Sequence, residues 1–129
     1  MEKNNKTILC FGSVHEGDKL AFDLHDMLKG NIVCKKIAKS ENPFELASYL
    51  ETDHLVILDV VKGIEKVTLF NNVKDFKKTQ TVTIHDLDLG FVLKLLEEAD
   101  GKKFKIVGVP YGAKKEDIIE EVKRIISSV

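Results

Sequence analysis

The segment from His54 to Val61 reads "HLVILDVV", and it constrains the fold more than any other part of the chain. Its apolar residues follow one another without alternation. That is the pattern of a strand covered on both faces, and such strands sit in the middle of parallel sheets. Parallel neighbours are joined by crossovers, usually helical, so the flanking sequence should alternate strands with helices.

It does. "TILCF" (Thr7 to Phe11) is a short β-branched and aromatic run that Gly12 terminates. From Asp18, a residue suited to cap a helix, Leu20, Ala21, Leu24, Met27 and Leu28 fall at helical spacing, and Gly30 supplies the stop. This places His25 on the helix's polar side. "NIVCKKIA" is the expected second strand. "NPFELASYL" opens a helix with Asn42 as cap and Pro43 at its first position. After Gly63, "KVTLF" comes too soon for a helical crossover and is expected to be an antiparallel edge strand. "VTI" is a short extended piece. Leu89, Val92, Leu93 and Leu96 mark a helix from Asp86 to near Gly101, and "FKIVGV" is a buried strand broken by Pro110 and Gly112. Ile118, Ile119, Val122, Ile125 and Ile126 form the stripe of a closing helix. The expected fold is a three-layer α/β/α sandwich over residues 1–129 as a single domain. Its sheet has about five strands, mostly parallel, with one antiparallel edge strand.

Charge and composition narrow the function classes. Twenty basic residues face twenty-one acidic ones, so no net field favours nucleic acid. The polar start "MEKNNK" leaves no room for a signal peptide, and no apolar run approaches a membrane span. A cytoplasmic protein without membrane insertion is the expectation. Cys10 and Cys34 lie in strand-like segments without metal-type spacing and read as free thiols.

In open α/β sheets, ligands bind beyond the carboxyl ends of the strands. Three features are expected at that rim. Asp59 follows the apolar "LVIL", where a carboxylate is costly unless it meets a cation, a metal or several donors. A capping or turn role for it stands beside a functional one. His85 precedes a helix in "TIHDLDL". The loop "GSVHEGDK" after the first strand carries Gly12, Glu16, Gly17, Asp18 and Lys19, but its glycine spacing fits neither a P-loop nor a dinucleotide fingerprint.

In order and spacing these segments resemble the hydrogenase maturation endopeptidases, which trim the C-terminal extension of the [NiFe] hydrogenase large subunit. The resemblance covers nearly the whole chain. "GSVHEGDKLAF" is similar to that family's GNxLxxDDGxG pattern at Gly12, Gly17 and Asp18, and in part at Ser13. "HLVILDVVKGIEKVTLF" looks like its central strand and edge strand, with Asp59 and Gly63 in place. "IHDLDLGFVLKLLEEADG" resembles its histidine before a leucine-rich helix, which places His85, and "KIVGVP" resembles its closing strand.

The resemblance implies a peptidase of aspartic type acting on a nickel-loaded [NiFe] hydrogenase large-subunit precursor, with nickel carried by that partner. It implies Asp59 and His85 as catalytic and metal-binding side chains. The third ligand position falls on Lys19, where the family has an acid and an ammonium has no lone pair. The family's glycine-rich loop after the second strand is replaced by "AKSENPFEL". Two outcomes follow: Asp18 or Glu16 serves as the third ligand beside Asp59 and His85, or Lys19 pairs with Asp59. The second describes a non-catalytic relative that binds a metalloenzyme precursor without cutting it. A further alternative is a phosphoacceptor receiver domain, whose central strand "DHLVILDV" resembles. That chemistry needs an acid pair after the first strand and a lysine after the last, and Phe11, Gly12, Val109 and Pro110 stand there instead.

Overall fold

The computed structural model describes residues 5–12, 19–42, 45, 48–49, 54–70, 82–83 and 103–129. Six strands form one sheet. They are β1 (Thr7–Phe11), β2 (Lys36–Ser40), β3 (His54–Lys62), β4 (Thr68–Phe70), β5 (Val82–Thr83) and β6 (Lys103–Pro110). Two of the described helices, α1 (Leu20–Leu28) and α2 (Lys115–Ser128), pack on it. The strand order is β2-β1-β3-β6-β4, with β5 paired to β3.

The central apolar run is β3, as expected. It pairs in parallel with β1 from Thr7 opposite Leu55 to Cys10 opposite Leu58, and with β6 from His54 opposite Lys103 to Val61 opposite Pro110. Its residues alternate between two apolar clusters. Val56, Leu58 and Val60 join Ile8, Cys10, Val107 and Val109 beneath α1 and α2. Leu55, Ile57 and Val61 join Leu9, Phe11, Phe70 and Ile106 on the opposite face, against which Tyr49 packs. Both clusters are buried, which is why the run needs no polar alternation.

The expected antiparallel edge strand is β4, paired with β6 from Thr68 opposite Gly108 to Phe70 opposite Ile106. The sheet also gains a sixth strand. The β1–β3 ladder stops at Leu58, whereas β3 runs on to Lys62. Backbone groups along this overhang need partners, and β5 pairs there in antiparallel sense, Val61 with Thr83 and Lys62 with Val82.

Two local expectations are corrected. The second strand begins at Lys36 rather than Asn31, because Asn31 belongs to the helix end. Its backbone N–H donates to Leu28 O and its side-chain amide to Met27 O, next to Gly30 at φ 84°. Cys34 therefore lies in a connection and is only half-buried. His25 is buried rather than on the polar side, since position 25 follows Ala21 by one helical repeat and shares its stripe. Its Nδ1 meets Asp26 Oδ1 at 2.9 Å. The expected helix from Asp86 to Gly101 lies outside the described residues. So does most of "NPFELASYL", of which only Glu45, Ser48 and Tyr49 are described.

The closing stripe is α2, with Ile119, Val122, Ile125 and Ile126 buried and Ile118 half-buried. Its last turn holds no basic residue, and the fully buried Lys6 takes that role by donating from Nζ to the Ile126 carbonyl. A cation at a helix C-terminus offsets the partial negative charge of the carbonyls there.

Gly108 is closely surrounded. A Cβ at this position would stand 3.0 Å from Phe70 Cε2 and 3.2 Å from Val61 Cγ2. Gly108→Ala is therefore expected to destabilise the protein by about 1–3 kcal/mol through overpacking. A lower midpoint in chemical denaturation, with an unchanged slope, checks this.

Candidate active site

Asp59 occupies the sixth position of β3 and is fully buried. Strand alternation puts its side chain on the face of Ile57, Val61 and Phe70, the face opposite α1 and α2. Its Oδ1 accepts a hydrogen bond from the Val60 N–H at 2.9 Å, and no hydrogen bond from the described residues reaches Oδ2. Its partner in the β3–β6 register is Gly108. The absent side chain at 108 leaves room for Phe70 to close over the ladder beside the carboxylate.

The other expected rim residues divide into those the structure describes and those it does not. Gly12 is buried and carries the β1–β2 ladder one step further, its N–H donating to Ser40 O at 3.1 Å. Lys19 is exposed at the head of α1, with φ −72° and ψ −20°, and its carbonyl accepts from the Asp23 N–H at 2.9 Å. It forms no ion pair with Asp59, and a fully buried carboxylate on one side of the sheet is out of keeping with an exposed lysine at the start of a helix on the other. The expected alternative in which Lys19 substitutes its charge for a metal at Asp59 is thus not supported. Glu16, Asp18 and His85 lie outside the described residues. Among the described residues no three His, Cys, Asp or Glu side chains come together to hold a metal.

A depression of about 300 Å³ opens between the two helices, lined by Leu20 and Asp23 of α1 and by the segment from Gly112 to Glu116. It lies on the helical face, whereas Asp59 points to the other, so the two meet only at the carboxyl edge of the sheet. At that edge Tyr111 donates its N–H to Val61 O at 3.0 Å, and Lys62 Nζ stands 4.8 Å from the Tyr111 ring centroid. Sequence reasoning missed Gly108, Tyr111 and Lys62. The signal available for them was "GVPYG", in which a strand ends in proline and an aromatic precedes a turn glycine.

Residues 41–129, well over half of the chain, match the family described as hydrogenase maturation protease, HycI. The chain belongs to this family. Solved structures of hydrogenase maturation proteases share its fold. HycI from Thermococcus kodakarensis KOD1 is 17% identical, with 97% of this chain and 91% of that one covered, at a TM-score of 0.66. HybD from Thermococcus kodakarensis is 15% identical, with 96% and 95% covered, at 0.61. The hydrogenase 2 maturation peptidase from Thaumarchaeota archaeon SCGC_AB-539-E09 is 10% identical, with 96% of each chain covered, at 0.54. No curated protein matches the sequence. Membership in a protease family leaves the receiver-domain alternative without support.

Of the two thiols, Cys10 lies in β1 beneath the helices and Cys34 in the connection before β2. Both are free. Burial pushes the Cys10 thiol far above its ordinary value, with the Asp26 carboxylate adding to the rise, and burial raises half-exposed Cys34 as well. Only the thiolate attacks alkylating reagents. Iodoacetamide at mildly alkaline pH is therefore expected to label Cys34 first and Cys10 only on unfolding, as peptide mass mapping would show.

Proposed function

We propose that this chain, acting as one domain, removes the C-terminal extension from a nickel-loaded [NiFe] hydrogenase large-subunit precursor. Asp59 and His85 are the acting side chains. The observation that carries the reading is a carboxylate fully buried in an apolar strand at the carboxyl end of the sheet's central strand. Fold stability does not call for a charge there, because burying one costs several kcal/mol unless a cation or donors offset it. A buried acid at the ligand-binding rim of an α/β sheet is better accounted for by chemistry.

Chain connectivity supports the pairing with His85. β5 ends at Thr83, which is registered with Val61, two residues past Asp59. His85 follows Thr83 by two residues, a length of chain that extends at most about 7 Å. The third member of the site is Asp18, with Glu16 as the neighbouring candidate and Gly12 at the base of their loop. Lys19 takes no part in it, since its side chain is exposed.

Two carboxylates and an imidazole are a suitable N/O donor set for nickel or a related divalent ion. The metal arrives with the precursor, and when bound it supplies Lewis acidity toward the scissile carbonyl or water. The protein's own groups do the rest. Asp59 and His85 supply oxygen and nitrogen donors that a metal-loaded precursor can meet and an empty one cannot, which selects the loaded form. The carboxylate and the imidazole together can move the single proton that peptide hydrolysis carries from water to the leaving nitrogen. No described helix is long and apolar enough to cross a membrane, which fits action in the cytoplasm on a newly made subunit.

Incubation with nickel-loaded precursor should produce a mass loss at the precursor's C-terminus, and metal-free precursor should stay intact. Asp59→Asn and His85→Ala are each expected to slow cleavage on the order of a hundredfold or more, with native far-UV circular dichroism. Intact precursor after prolonged incubation with the wild-type protein would sink the proposal.

A further inference from the structure

Tyr111 is the one large aromatic among the described residues that stands well exposed, at 49%. Single exposed apolar residues are ordinary on protein surfaces. What distinguishes this one is that its position is fixed at the carboxyl edge of the sheet. Its N–H is tied to Val61 O, Gly112 after it turns the chain at φ 84°, and the Lys62 ammonium rests over its ring. The ring is thus presented at the carboxyl edge of the sheet, two strand residues beyond Asp59 and immediately before the depression between α1 and α2.

We infer that Tyr111 and Lys62 form a docking platform for the precursor, and that the precursor's chain crosses the sheet edge over them into this depression. This rests on the reading of Asp59 as part of the cleavage site. A strand advances about 3.3 Å per residue, so Val61 lies about 7 Å from Asp59 along β3. An extended substrate bound at Asp59 reaches Tyr111 with residues about two to four positions from its scissile bond.

The surface specifies the chemistry of that segment. The Tyr111 ring and Leu20 offer apolar area, and Lys62 offers a charge that its contact with the ring leaves intact. Lys19 and Lys114, both exposed, head the two helices that flank the depression. Asp23 and Glu116, also in its lining, lie in the first turns of α1 and α2, where the helix dipoles offset them. The segment that fits carries an apolar side chain for the ring followed by a carboxylate for Lys62. Tyr111 and Lys62 touch substrate away from the scissile bond and set affinity rather than the chemical step.

The test uses the full chain and its cognate large-subunit precursor loaded with nickel, with affinity measured by calorimetry and cleavage by mass spectrometry. Tyr111→Ala should raise Kd and KM about tenfold, the loss of a central aromatic contact, while leaving kcat unchanged. Tyr111→Phe should stay close to wild type, because ring area rather than the hydroxyl makes the contact. Lys62→Glu should weaken binding most at low salt. Unfolding midpoints close to wild type confirm that the variants are folded. Tyr111→Ala binding and cleaving like wild type overturns the docking platform and leaves the cleavage reading standing. Wild-type binding that depends on Tyr111 but yields no cleavage supports the platform and overturns the cleavage reading. No binding by the wild type overturns both.

Discussion

The structure depends on β3 being longer than its neighbour. The β1 ladder releases it at Leu58, one residue before Asp59, and from there to Lys62 one of its sides is open to pairing by a different segment. β5 takes that side, so that Thr83 is registered with Val61, two residues past the acid. The same overhang gives Tyr111 its anchor at Val61 O. A central strand that ended flush with β1 would have kept a core, but it would have placed neither segment near Asp59.

The core and the site make opposing demands on this strand. Six of its seven consecutive buried residues provide hydrophobic driving force at about 1.5–3 kcal/mol for each large aliphatic side chain enclosed. Asp59 interrupts that run and contributes nothing of the kind. Gly108, its neighbour in register, also gives up side-chain packing of its own and is filled instead by Phe70 from β4. The edge strand thus closes the core at the point where Asp59 weakens it. Departures from local rules of this sort are expected where function has a claim on a buried position.

Much of this was legible in the sequence for physical reasons. An unbroken apolar run has few foldable interpretations, and β3 was read correctly with its parallel neighbours on each side. "KVTLF" was identifiable as antiparallel from connection length alone, since the five residues between β3 and β4 cannot make a crossover. Asp59 stood out because a carboxylate after four apolar residues has no ordinary reason to be there. Other features were out of reach. β2 starts five residues later than the strand propensity of "NIVC" suggests, because the helix-ending bonds from Asn31 to Met27 and Leu28 override that propensity. His25 was misplaced because residue type was weighed above helical phase. Gly108 and the Lys62–Tyr111 pair depend on register across strands about fifty residues apart, which no local pattern encodes.

The contact between Lys6 and the Ile126 carbonyl joins positions 120 residues apart. One partner precedes β1 and the other lies in α2. Until residue 126 is in place, an ammonium destined for the interior has no helix terminus to receive it, and the apolar stripe of α2 is missing from the face that it shares with α1. The fold therefore closes only after residue 126 has joined it, and β1 lacks part of its cover before then.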